Sequence, residues 1–267
     1  MKLKRDIRSA VLICIVLSLT ISSASAEDSP LRTVHVFVAL ADNQSQGIIP
    51  VPAKLGNGED SEHNLYWGSA YGVKTFFAHS TDWMRIACGE KPKAEILERC
   101  VFKHRAANVY LVADAYRGRE IRQAILDFLA SAAGDDPETV SVPGPPGALK
   151  VPIRGGANLV VYIGHDGLMD FQLQQFPHKK NERHRLAVVL ACASKQYFAE
   201  SVRASGAYPL LWTTGLMAPE AYTLKSALDG WIAGENNEQI RDRAAGAYDK
   251  YQKCGFRAAH RLLVTGW

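Results

Sequence analysis

The sequence predicts an α/β domain: a mostly parallel sheet of five to six strands, flanked by helices on both faces. Three observations carry this expectation. Short apolar runs rich in β-branched residues recur at Thr33–Leu40, Asn108–Val112, Leu159–Gly164, Leu186–Ala191 and Tyr208–Thr213, the pattern of strands buried on both faces. Amphipathic stretches lie between or after these runs, as in chains that build parallel sheets. No Pro/Ser-rich linker or internal repeat divides the chain, so residues 27–267 read as one domain.

Ahead of that domain, residues 1–26 read as an export signal. Lys2, Lys4, Arg5 and Arg8 precede the apolar stretch Ala10–Leu19, and Ala24-Ser25-Ala26 supplies small residues for cleavage. The apolar stretch is shorter than the roughly 20 residues that span a bilayer, so the expectation is removal and a periplasmic or secreted protein with no stable membrane span. The leader takes four basic residues and one acidic residue out of 31 Lys+Arg and 27 Asp+Glu. That leaves 27 against 26, and the net charge falls from +4 to about +1. A nearly neutral chain without a long basic run offers nucleic acid no electrostatic footprint.

Along the chain, the first run is followed by a Gly/Pro-rich loop over residues 41–63 and then a helix near Tyr66–Phe77. Cys88 and Cys100 bracket a short Lys/Glu-rich segment containing Gly89 and Pro92, where a local disulfide is plausible in an oxidising compartment. Ile121, Ala124, Ile125, Phe128, Leu129 and Ala132 form one helical stripe that stops at Gly134. Residues 134–157, with Pro143-Gly-Pro-Pro-Gly147, read as a loop or β-ribbon. Further helices are expected from near Ser194 and from Pro219. The last carries Ile240, Ala244, Ala247, Tyr251 and Cys254 at 4-3-4-3 spacing, which would make Cys254 a core thiol.

Two of the apolar runs end in reactive side chains. Leu159–Gly164 delivers His165, and Leu186–Ala191 delivers Cys192. Open α/β sheets place their ligand sites at the carboxyl ends of strands, so a thiol and an imidazole there form a candidate nucleophile and base. Taken separately, Cys192 reads as a small buried hydrophobe and His165 as a loop cap. Together they read as a site.

The two run ends, His-x-Gly at His165–Gly167 and Ala-Cys at Ala191–Cys192, in this order and in an α/β pattern, resemble the caspase-like cysteine peptidases: caspases, legumains, gingipains, clostripains and separases. The motif evidence covers residues 159–167 and 186–192. The resemblance implies a sheet of order 2-1-3-4-5, Cys192 as nucleophile, His165 as general base, and backbone amides of Gly167 and Cys192 as oxyanion donors. It implies a peptide or protein substrate and no cofactor. In that topology Asp42 would face His165 across the crevice, and Asp114 and Asp166 would add carboxylates to the same edge, favouring a basic residue at the cleaved position. Alternative roles for Asp114 are capping or pairing with Arg117.

This chain departs from the family pattern at three points. Asp166 separates histidine from glycine, Leu190 stands where many members carry a polar residue, and His165 and Cys192 are 27 residues apart against about 50 in caspases. These departures fit a second account, an inactive caspase-like fold serving as an exported binding module. Zinc is not expected: His178 and His184 lack an evident third ligand, and no CxxC or HExxH occurs. No G-x-S-x-G elbow points to a serine hydrolase.

Overall fold

The computed structural model describes residues 29–144 and 147–267, so the expected leader and Pro145-Pro146 lie outside the described residues. The protein is α/β, built on one eight-stranded mixed sheet. Its strands are β1 (Arg32–Ala39), β2 (Trp83–Lys93), β3 (Ile96–His104), β4 (Val109–Tyr116), β7 (Leu159–Ile163), β8 (Leu186–Leu190), β9 (Tyr208–Thr213) and β10 (Leu263–Val264), in the order β10-β9-β8-β7-β1-β4-β3-β2. The five runs read from sequence are β1, β4, β7, β8 and β9. They are neighbours in the sheet and mutually parallel. The sheet is larger than expected because β3 and β10 add antiparallel edges and β2 pairs antiparallel with β3. The β2 strand hid in the sequence because it is mostly exposed and is interrupted by Arg85, Glu90, Lys91 and Lys93, without the long apolar run that marks a central strand.

β1 shows how side-chain alternation divides the core. Val34, Val36 and Val38 enter a cluster with residues of α1 (Val73–Ala78), α4 (Ala221–Ala233) and α5 (Asn237–Gln252). Phe37 and Ala39 enter the opposite cluster with α2 (Ile121–Ala133) and α3 (Ser194–Ser205). Helices therefore cover both faces, and the strands between them are buried and mostly apolar. Phe128 of α2 bridges this second layer, with ring centroids 6.0 Å from Tyr162 and 6.2 Å from Phe198. Gly134 closes α2 in the left-handed conformation at φ 85°, which glycine adopts without steric cost.

Within the segment read from sequence as a loop or β-ribbon, β5 (Pro137–Gly144) pairs antiparallel with β6 (Gly147–Arg154) as a two-stranded ribbon. Val142, Val151 and Ile153 pack it against Val101, Tyr110 and Val112 of the main sheet. Cys88 and Cys100 face each other across β2 and β3 and are joined in a disulfide. α1 is shorter than the helix expected over Tyr66–Phe77, since the chain before Val73 runs through turns. Cys254 is exposed and is not a core thiol. α5 ends at Gln252, and Lys253 takes a left-handed cap at φ 55°, which turns the next residue out of the buried stripe. Among the described residues no helix is long and apolar enough to cross a membrane.

Candidate active site

Strand register brings the two reactive side chains to one place. β7 and β8 are adjacent and parallel, and Ile163 pairs with Leu190. His165 and Cys192 each lie two residues beyond that pair, so both leave the sheet at its carboxyl edge at the same level. They line one cavity of about 200 Å³ together with Gly47, Ile48, Ile49, Tyr66, Gly164, Met169, Leu216, Met217 and Pro219. The loop after β1 thus reaches over the carboxyl ends of β7 and β8. Its segment Gly47–Ile49 supplies one wall.

The turn that carries Cys192 is tightly held. Ala193 adopts a left-handed conformation at φ 48°, uncommon for a residue with a Cβ. Its amide donates to the Gly215 carbonyl at 2.8 Å. The Ser194 hydroxyl donates to the Val189 carbonyl at 2.9 Å, and the Ser194 amide donates to the Thr213 hydroxyl at 3.1 Å. Thr213 in turn donates to the Ala191 carbonyl. The Cys192 Sγ accepts from the Met217 amide at 3.4 Å. Burial pushes the thiol pKa up, the Met217 backbone contact opposes this, and the charge of Asp166 reinforces it. The resting thiol is therefore protonated at neutral pH.

His165 is buried, and its Nε2 lies 2.7 Å from the Asp170 carboxylate. A carboxylate can only accept, so Nε2 carries the proton and Nδ1 is left as the basic nitrogen. Asp170 also accepts from the Gly47 amide at 2.9 Å, which ties the imidazole to the loop over the cavity. The contact exists because Gly167–Met169 forms a 3-10 turn that folds Asp170 back under His165. Sequence reasoning missed Asp170. A carboxylate five residues after the histidine was visible, but only that turn makes it a partner.

Asp166, expected at the substrate pocket, is fully buried and caps the 3-10 turn by accepting from the Leu168 amide at 3.0 Å. Its other oxygen has no hydrogen-bond partner. Burial pushes its pKa up to about 7; the Leu168 amide opposes the shift and Asp170 adds to it. Asp42 does not line the cavity either. It organises the loop after β1, accepting from the Gln44 amide at 2.9 Å and the Ser45 hydroxyl at 2.8 Å. Asp114 belongs to a separate buried cluster, where it accepts from Arg99 at 2.6 Å and meets His35 Nε2 at 3.1 Å. Burial would raise its pKa, but these bonds overcome that and hold it at about 2. Its partner is Arg99 on the neighbouring strand rather than Arg117, a choice set by the pairing of β3 with β4.

The two expected oxyanion amides also part company. The Gly167 amide donates to the His165 carbonyl at 3.0 Å and is consumed by the turn, because Asp166 shifts it one position along the chain. The Cys192 amide makes no backbone hydrogen bond among the described residues. Tyr66 lines the same cavity, and burial followed by charge on Cys192 and Glu220 raises its pKa, so its hydroxyl stays a donor. Two groups of described residues gather three potential metal ligands. In Cys88, Glu98 and Cys100 the thiols are spent in the disulfide. Glu238, Asp242 and His260 form a polar cluster outside the cavity, with His260 3.1 Å from each carboxylate.

Comparison with protein-family models, curated proteins and solved structures found no match.

Proposed function

We propose that this chain is an exported, caspase-like cysteine endopeptidase that cleaves peptide bonds through the Cys192 thiolate with His165 as general base. The observation that carries this reading is the placement of both side chains in one cavity at the carboxyl ends of adjacent parallel strands, with His165 oriented by Asp170. In the proposed reaction His165 Nδ1 takes the Sγ proton as the sulfur attacks the carbonyl carbon and forms a C–S bond. The Cys192 amide and the Tyr66 hydroxyl are the donors available for the oxyanion. Collapse breaks the C–N bond, and His165 returns the proton to the leaving amine. Water then attacks the thioester, His165 again carries the proton, and the acid leaves with the thiol restored.

The test is labelling of the folded mature protein with an acyloxymethyl-ketone peptide, comparing wild type with Cys192→Ala and His165→Ala. Rapid labelling abolished by both substitutions supports the peptidase. A second reading, an inactive binding module of the same fold, draws on the raised thiol pKa and the consumed Gly167 amide. It expects Cys192 to react no faster than the exposed Cys254, and with no dependence on His165.

A further inference from the structure

We infer that the cavity selects an uncharged, apolar side chain of Leu, Met or Phe type at the cleaved position of its peptide substrate. This inference rests on the peptidase reading and departs from the basic preference that acids at the sheet edge would have implied. Beyond His165 and Cys192, the larger side chains of the wall are Ile48, Ile49, Tyr66, Met169, Leu216 and Met217. Among the described residues no Asp, Glu, Lys or Arg lines it. Neither nearby carboxylate lines the cavity: Asp170 accepts from His165 and Gly47 behind its wall, and Asp166 caps the turn beneath. A charged side chain entering this space would lose its hydration without an oppositely charged group on the wall to contact.

The rim makes the same point independently. Ile49, Met169 and Leu216 are 81%, 42% and 70% exposed. Scattered surface hydrophobics are ordinary, but these three come from separate segments, after β1, β7 and β9, and converge on the mouth of one cavity. Three apolar groups standing in water around a thiol form a patch that an apolar partner would cover. The cavity, at about 200 Å³, is below the roughly 300–1,000 Å³ of pockets that enclose a whole drug-sized ligand. It suits one side chain and the adjoining carbonyl, with the rest of the peptide lying outside.

The experiment uses four acyloxymethyl-ketone probes identical except for Leu, Lys, Asp or Gly next to the reactive group, applied to the mature wild-type protein and to Ile49→Ser and Leu216→Ser. Both substituted positions are largely exposed, so folding is not at stake. The expected result is labelling of Cys192 by the Leu probe at least tenfold faster than by the Lys or Asp probe, with the Leu-to-Gly rate ratio falling severalfold in each variant. Equal rates, or faster labelling by Lys or Asp, in a His165-dependent reaction would overturn the apolar preference and leave the peptidase standing. If the Gly probe and the others all fail to label Cys192 in a His165-dependent way, the peptidase reading falls and this inference falls with it.

Discussion

The Asp170 carboxylate receives Nε2 of His165 at 2.7 Å and, through the same oxygen, the Gly47 amide at 2.9 Å. One oxygen thereby fixes the tautomer of the imidazole and the position of the loop that walls the cavity. His165 and the loop that walls the cavity are thus mechanically joined.

Asp170→Ala removes both bonds. The probe-labelling rate should fall about 10²-fold, within the range a positioned base contributes, while circular dichroism stays native. Gly47→Ala should mimic it, because a methyl at Gly47 would collide with the Asp170 carboxylate. A Gly47→Ala protein that labels at the wild-type rate would separate the loop from the base.

The raised thiol pKa sets the pH dependence of labelling. Because burial and Asp166 disfavour the thiolate, the rate should climb continuously through pH 7 to 9 rather than level off near neutrality. Asp166→Asn removes the negative charge and should move the profile toward lower pH, as read by iodoacetamide kinetics at Cys192.

Asp166 also links pH to stability. Its folded pKa of about 7 lies above the ordinary value of 3.8, so the folded state holds the proton more tightly than the unfolded chain. The protonated carboxyl's contribution is complete below about pH 4 and is lost as pH rises to 7, above which the penalty is constant. Asp166→Asn should therefore raise Tm at pH 8 and have little effect at pH 4. Thermal melts across that range would check the sign.

Asp114 behaves oppositely. Its folded pKa is held at about 2, so the stability it contributes is present above about pH 4 and is lost as pH falls toward 2. Arg99→Ala leaves this fully buried carboxylate short of its main partner and should cost about 3–5 kcal/mol by urea unfolding. In the fraction that folds, probe labelling should be unchanged, since the Arg99–Asp114 pair lies outside the cavity.

Replacing Cys88 and Cys100 by serine opens a loop with a sequence separation of 12. The expected loss is about 2–3 kcal/mol, concentrated at the edge hairpin, with hydrogen exchange in β2 and β3 rising before that in β1 or β7.

Sequence alone determined the central strands, because burial on both faces forces unbroken apolar runs such as Leu159–Ile163 and Leu186–Leu190. It also marked His165 and Cys192, since a polar residue just past such a run has to emerge at a strand end. The termination of α2 at Gly134 was legible from turn chemistry, while residues 134–157 read equally as a loop or a β-ribbon, a choice decided by the pairing of β5 with β6. Which acids belong to the site was not. Asp42, Asp114 and Asp166 each found nearer partners, in a loop turn, in an ion pair across β3 and β4, and in a 3-10 cap. Asp170 reached His165 through a fold-back that no periodicity encodes. The apolar lining had the same origin: Ile49, Met169 and Leu216 come from three loops whose convergence depends on strand order and register. Local patterns record whether a residue is buried. Only the packed chain decides which distant side chains share a cavity.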